Sequence, residues 1–503
     1  MPARSAMETD SAAGPTLTLF NLLTHTLSSF WCLSMNASEI FDAGSKSKMH
    51  EEPYVRKVWE LINDNTLFSK SPDYLASLRR SLLRDALAFF GEKSAYYRNL
   101  YDRLHITPRN ADFPDLAKLA IPSDMLRGDG HKAFLIDGVE GGGEYFQSSG
   151  TTGKDPVKIY RSPIDLAIMI KANTVLFEHV YGSTLSEGKG IALFMAAPEL
   201  RYKLSFVAFV HLTLECKNIE LLYGMNLVEG EKPGTQWQKL VPNKENLLKF
   251  LKSKTEPKLL FTAPAGVFML AQRFDQMNLL RKIAYKLVTG TPPINLGKGG
   301  IVVTGGGSKG YTLPPYNEIV NLSRKYIVSK DGGGEDIPVP FMDVLGMTET
   351  LTAFIDRYES FDKVPHPLSQ AFLLDPKTFE YMDEDGKEGV LGIFNPFVTS
   401  WLEIFYPGDL MLSKPTPGYY GKSYQYIRRF TVEEGWDLQR ACGGTLEEMM
   451  RSGADSDAAR RFSPGRDSSP AESKIFASRS ATRRSGDISC GRHPTTSSVR
   501  RSS

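Results

Sequence analysis

The chain has 503 residues, 41% of them hydrophobic and 23% charged, with a formal net charge of +2. That is ordinary globular composition, long enough for a large core and two or more domains, and its near-neutral balance argues against a body built to coat nucleic acid. The four cysteines (Cys32, Cys216, Cys442, Cys490) form no C-x-x-C pair and the eight histidines show no H-E-x-x-H spacing. This argues against a disulfide scaffold or a zinc site and fits a reducing, cytoplasmic compartment.

Between Ser11 and Ser38 there is no Asp, Glu, Lys or Arg, but threonines, serines and an asparagine interrupt the apolar residues. No continuous run of roughly 18 apolar residues exists for a membrane-spanning helix. Residues 1–48 read as a poorly ordered extension, or as a translated leader ahead of a start at Met35 or Met49. A globular body is expected from Met49. Val55, Val58, Trp59, Leu61 and Ile62 recur at helical spacing. Asp73, as N-cap, precedes a second amphipathic run from Leu75 to Phe90, and Tyr96 to Leu104 continues the stripe. Residues 132–139 read as a strand, followed by Gly141-Gly142-Gly143, and 164–179 as a helix. Short apolar strands are expected at 191–196, 219–222 and 258–262, with helices at 244–252 and 266–277 between them. Gly300-Ile301-Val302-Val303-Thr304 is a buried-strand signal running into Gly305-Gly306-Gly307, and 341–345 is another short strand. From 370 to 412 the pattern is strand-rich, with an Asp-Gly turn at Asp385-Gly386. This alternation predicts an α/β fold with its site at the strand ends. Residues 451–503, rich in Ser, Arg and Gly, lack the apolar content to offset chain entropy and read as a disordered tail.

The stretch that carries chemistry is Ser148-Ser149-Gly150-Thr151-Thr152-Gly153-Lys154. Backbone N–H groups, hydroxyls and a terminal lysine suit a loop that wraps a phosphate chain. It is not a Walker A loop. Counting back from Gly153-Lys154 puts Ser148 where G-x-x-x-x-G-K-[ST] needs glycine, and Asp155 follows the lysine. A surface hairpin is the other reading of such a cluster. Nearly two hundred residues later, Gly346-Met347-Thr348-Glu349 offers a hydroxyl and a carboxylate, an oxygen set of the kind a hard cation prefers.

The loop resembles the phosphate-binding signature of adenylate-forming enzymes, the acyl-CoA synthetase-like superfamily. Three further signatures stand in the expected order. Gly305-Gly306-Gly307 resembles the glycine turn that lies against the nucleotide. Gly346-Met347-Thr348-Glu349 resembles the aromatic-Gly-x-Thr-Glu motif, with Leu345 in the aromatic position. Tyr406-Pro407-Gly408-Asp409-Leu410 resembles the Thr-Gly-Asp-Leu motif. Within the superfamily the chain is most similar to the acyl-protein synthetases of bacterial bioluminescence (LuxE type). The segments that carry this are Gly306-Gly307-Ser308-Lys309-Gly310, Asp343 to Glu349, and the end from Ile427 to Gly443, with Ser308, Leu345, Arg428 and Ala441 departing from the family pattern. The resemblance covers roughly residues 49–450.

The resemblance implies an adenylate-forming large domain with αβ layers, a strand-rich C-terminal part, and little or no separate mobile C-terminal subdomain. It implies ATP and Mg²⁺ as cofactors. Ser148, Ser149, Gly150, Thr151, Thr152, Gly153 and Lys154 would hold phosphates, and Gly305, Gly306, Gly307 and Gly346 would flank the nucleotide. Thr348 would donate to the α-phosphate, Glu349 would bind the metal, Asp409 the ribose hydroxyls, and Arg429 would add a cation. Lys154, Thr348 and Cys442 are the catalytic candidates. The Cys442 thiol would take the acyl group and pass it to an acyl-accepting reductase or carrier protein. Local alternatives stay open: Glu349 as the cap of a helix over 350–354, Asp409 as a turn residue, and Cys442 as an inert thiol. The implied activity is ATP-dependent activation of a fatty or other carboxylic acid as acyl-adenylate, with transfer to the protein thiol. A CoA ligase of the phenylacetate type and a nucleotide-binding module without turnover are the other readings.

Overall fold

The computed structural model describes residues 36–148, 155–182, 189–229, 238–289, 294–306, 313–356, 360–416 and 421–430. The described structure begins before Met49. Asn36 caps α1 (Ala37–Ser45) with a reciprocal capping box to Glu39. Ile40 is buried, and a Cβ on Gly44 would stand 2.4 Å from that of Ala167. Residues 36–48, which the sequence reading placed outside the globular body, therefore pack on it. Their signal is weak because Ile40 and Phe41 are the only large apolar residues among them, and the close approach is made by a glycine.

The helices α2 (Pro53–Ile62), α3 (Pro72–Lys93) and α4 (Ala95–Leu104) follow at the expected spacing. The cap of α3 is Ser71, whose hydroxyl accepts from the Tyr74 N–H at 3.2 Å. Proline at the first helical position sets this start, so Asp73 falls inside the first turn, where it favours the helix dipole. Residues 132–139 are not a strand. They hold the end of a 3₁₀ helix, Gly130–Phe134, and one isolated bridge between Leu135 and Trp401. Gly138, at φ 70°, turns the chain away after that single rung.

The strands β1 (Glu144–Gln147) and β2 (Lys158–Arg161) pair as an antiparallel hairpin. Then come α5 (Pro163–Tyr181), β3 (Ile191–Phe194), α6 (Ser205–Cys216), β4 (Glu220–Tyr223), α7 (Lys244–Lys252), β5 (Lys258–Thr262), α8 (Pro264–Gln276), α9 (Leu279–Thr289), β6 (Ile301–Gly305), α10 (Tyr316–Ser323) and β7 (Phe341–Leu345). The strand-rich part holds β8 (Phe354–Asp356), β9 (Asp362–Val364), β10 (Gln370–Leu374), β11 (Glu388–Phe394), β12 (Ile404–Tyr406), β13 (Asp409–Pro415) and β14 (Lys422–Arg429).

Among the described residues one sheet of fourteen strands carries the fold: β3 to β14 and two two-residue strands, Ile121–Pro122 and Tyr381–Met382. Its parallel half runs β4-β3-β5-β6-β7. It continues antiparallel through β8, β9, β14, β13, β11 and β12, with β10 on β11. The strands β3, β5 and β6 are buried along their whole length because helices cover both faces, which is why they read as unbroken apolar runs. Alternate side chains feed two cores. Ala192, Phe194, Leu259, Phe261, Ile301 and Val303 face the core shared with α5 and α6. Ile191, Leu193, Leu260 and Val302 face a smaller core under α7, α8 and α10. Apolar on nearly every side, α5 is the central core helix, started by a Ser162–Asp165 capping box. No helix among the described residues is long and apolar enough to cross a membrane.

Candidate active site

In the sequence the phosphate-loop candidate joins β1 to β2. Ser148 and Val157 clamp its neck: the Ser148 N–H donates to Val157 O at 2.8 Å, and the Val157 N–H donates to the Ser148 hydroxyl at 2.9 Å. Ser148 is buried, so its hydroxyl first closes the loop. The Gln147 N–H donates to Lys203 O at 3.0 Å, tying the neck to the segment that leads into α6. Ser149, Gly150, Thr151, Thr152, Gly153 and Lys154 lie outside the described residues, as do Gly307 and Cys442.

At the other end of β2, Arg161 is fully buried and reaches the acidic turn after β7. Its Nη2 donates to the carbonyls of Glu349 (2.7 Å) and Thr348 (3.4 Å), and its Nη1 lies 3.2 Å from Glu403 Oε2. Glu403 Oε1 accepts from the Leu351 N–H at 3.3 Å. Burial pushes the Glu403 carboxyl up to about 7 against the opposing pull of Arg161. Asn173 of α5 donates to Leu351 O (3.0 Å) and accepts from the Ala353 N–H (2.9 Å), and Asn395 donates to Thr350 and Thr352. These bonds hold residues 348–353 in an irregular turn leading into β8, so there is no helix over 350–354 for Glu349 to cap.

Inside this well-bonded turn one group stands out. Thr348 and Glu349 are both completely buried, and neither carboxylate oxygen of Glu349 has a hydrogen-bond partner. Buried carboxylates are normally paired or bound to metal. Among the described residues no cluster of three or more His, Cys, Asp or Glu could hold a metal alone. A single carboxylate with the remaining oxygens supplied by phosphate and water is the usual habit of Mg²⁺, and Glu349 fits it.

Gly305 ends β6, and Gly346 directly follows the adjacent parallel strand β7. The half-buried ring of Phe206 on α6 fills the space beside both. A Cβ on Gly305 would stand 2.8 Å from Phe206 Cζ, and one on Gly346 would stand 3.4 Å from Phe206 Cδ2. Gly306 has φ 93°, a conformation open to glycine. Just below, Thr304 donates to Asp343 Oδ1 at 2.8 Å, Lys363 pairs with Asp343 Oδ2 at 2.6 Å, and burial raises the nearby Asp356 carboxyl to about 6. Asp409 opens β13 after Gly408 at φ 85° and is buried. The register sets it opposite Arg429 of β14, with Oδ1 3.6 Å from Arg429 Nη1. Arg429 also donates to Pro407 O at 2.5 Å. Asp409 is thus a strand residue with a cationic neighbour rather than a simple turn former. The β13 end lies across β8, β9 and β14 from the β7 end.

Sequence reasoning missed Arg161, Glu403 and Asn173. A signal exists for the first two: each is a charge set within an apolar run, at Ile159-Tyr160-Arg161 and Trp401-Leu402-Glu403-Ile404-Phe405. Cys216 is the free cysteine among the described residues; it is half-buried, and burial pushes its thiol up to about 11, away from the thiolate that reacts.

No family model matches the chain, and no curated protein matches it. Solved structures do. The 2-hydroxyisobutyryl-CoA ligase in the postadenylation state, in complex with 2-HIB-AMP, is similar with a TM-score of 0.50 at 14% identity over 73% of this chain and 71% of that chain. The same ligase in complex with R3-HIB-AMP gives 0.49 at 13% identity over 73% and 71%. A long-chain-fatty-acid-CoA ligase from Archaeoglobus fulgidus gives 0.38 at 15% identity over 57% and 51%. The first of these carries the fold assignment: the mixed α/β architecture, with its large sheet, is that of the adenylate-forming ligases.

Proposed function

We propose that this chain is an ATP-dependent, acid-activating ligase that joins a fatty or other carboxylic acid to AMP and then transfers the acyl group to a thiol. The observation that carries this reading is the buried Glu349 carboxylate, unpartnered at the end of β7 and fixed through its own backbone by Arg161. The adenylate-forming fold and the order of the four motifs support it.

In the first half-reaction a carboxylate oxygen of the substrate attacks the α-phosphorus of ATP. The new bond is acyl O–P, the α–β P–O bond breaks, and pyrophosphate leaves with the electron pair. Ser149, Thr151, Thr152, Lys154 and the backbone of Gly150 and Gly153 hold the β- and γ-phosphates, Ser148 closing the loop beneath them. Thr348 donates to the α-phosphate, where charge grows in the transition state. Glu349 is the residue that would hold Mg²⁺, which when bound neutralises phosphate oxygens. Asp409 accepts from the ribose hydroxyls, with Arg429 beside it, while Gly305, Gly306, Gly307 and Gly346 let the backbone approach the nucleotide. In the second half-reaction a thiolate attacks the acyl carbon and AMP departs, leaving a thioester. Cys442 is the proposed acceptor on this chain, and a reductase or carrier protein the next. The second reading places free CoA in that role, as in the CoA ligase whose fold the chain shares.

Acid-dependent exchange of labelled pyrophosphate into ATP, across a panel of fatty and aryl acids, tests the first step. Exchange that Lys154→Ala abolishes is the expected result; no exchange with any acid would leave a nucleotide-binding module without turnover. Label from radioactive acid retained on wild type but not on Cys442→Ala would identify the acceptor, whereas an absolute requirement for CoA would reassign it.

A further inference from the structure

One surface of the fold has no part in that chemistry. Asn278 starts α9 by accepting from the Arg281 N–H at 2.9 Å. On this helix Leu279, Leu280, Ile283 and Leu287 are 72%, 79%, 47% and 81% exposed. At 3.6 residues per turn these four positions fall within about 100° of one another, on one face. The other exposed large apolar residues among the described ones are isolated positions or the adjacent pair Tyr426 and Ile427. Leucines this open form a projecting ridge rather than a groove. The sequence of α9 contains Arg281, Lys282 and Lys286 and no acid. The helix α7 packs beside it, and residues 244–254 hold Lys244, Lys249, Lys252 and Lys254 against one acid, Glu245. Part of this charge is engaged: Lys249 pairs with Glu220 at 2.6 Å, and Lys282 lies 5.8 Å over the Tyr326 ring. With Glu220 counted, seven basic residues in these stretches of sequence stand against two acidic ones, still a local excess in a chain whose net charge is +2.

We propose that α9 is an interfacial docking helix that seats the protein on an anionic lipid surface, with its leucine ridge in the acyl boundary and its basic residues at phosphate level. An apolar arc of Leu and Ile flanked by Lys and Arg is the composition of helices that lie in the membrane plane. Protein–protein contacts instead favour aromatic anchors and are poor in lysine. The inference does not rest on the acid-activation reading, and its test uses no turnover.

Full-length protein is floated with vesicles of phosphatidylcholine alone and of phosphatidylcholine with phosphatidylglycerol, at low and high salt. The wild type should float with the anionic vesicles, less so at high salt. Arg281→Gln should lower partitioning about fivefold, the effect of one basic residue near such a surface. The double variant Leu280→Glu/Leu287→Glu should lower it more than tenfold, with an unchanged thermal melt because both positions are exposed. Failure of the wild type to float with anionic vesicles overturns the proposal, as does undiminished flotation of the double variant. A dimer on size-exclusion chromatography that the double variant converts to monomer would reassign the ridge to contact between copies.

Discussion

Replacing Glu403 by glutamine should make the protein more stable at neutral pH and leave it little changed in mild acid. Burial raises this carboxyl from 4.5 to about 7 even with Arg161 beside it. Between those two values the native state binds more protons than the unfolded chain, so stability falls as pH rises through the window. A shift of roughly 2.5 units at 1.36 kcal/mol each makes the loss about 3 kcal/mol, developed fully above pH 7. In Glu403→Gln the side chain has nearly the same shape and cannot ionise, so this contribution disappears while every other titrating group stays. The measurement is urea unfolding of both proteins from mild acid to slightly alkaline pH. The stability of the variant minus that of wild type should climb by about 3 kcal/mol across the window. A difference flat with pH would refute the reasoning, because Glu403 would then carry the same charge folded and unfolded. A difference that falls with pH would mean that the Arg161 pair outweighs burial.

Glu349→Gln separates stability from function at the acidic turn. Without metal and nucleotide it should melt at or above wild type, since it relieves an unpartnered buried carboxylate worth about 1–3 kcal/mol, yet pyrophosphate exchange should drop on the order of 10²-fold or more. A lower melting temperature would show that the carboxylate is already paired in the fold. Gly305→Ala drives a methyl to 2.8 Å from Phe206 Cζ and should cost about 1–3 kcal/mol in wild type. In a Phe206→Ala background the same change should cost less by at least about 0.5 kcal/mol. Equal costs in a double-mutant cycle by thermal or urea unfolding would disprove that contact.

The strands β5 and β7 and the helix α7 fall at the residues expected from sequence, because each is an unbroken apolar or amphipathic run between turn formers. The N-terminal helix α1 was hidden by its contact through Gly44, and 132–139 carried strand-like composition without a partner for more than one rung. At the site, Thr348 and Glu349 were readable as one motif because they are adjacent in sequence and share one turn, whereas Asp409 and Arg429 were named from separate motifs and meet across a ladder. The support beneath them was not. Arg161 and Glu403 are 242 positions apart, and local sequence carries no information about that distance. Their meeting is set by the packing of the β1–β2 hairpin against the turn that both of them bond.

The two ends of β2 have unlike tolerance to change in length. A residue gained or lost beyond the Ser148–Val157 clamp leaves the register of β2 unchanged. Between the clamp and Arg161, one inserted residue would flip every later side chain of the strand to the opposite face. The guanidinium would leave the carbonyls of Thr348 and Glu349, and Glu403 would be stranded in the core. Natural variation in this family of folds should therefore stop at the neck, where four residues of strand act as a ruler between the Ser148–Val157 clamp and the turn at Thr348 and Glu349.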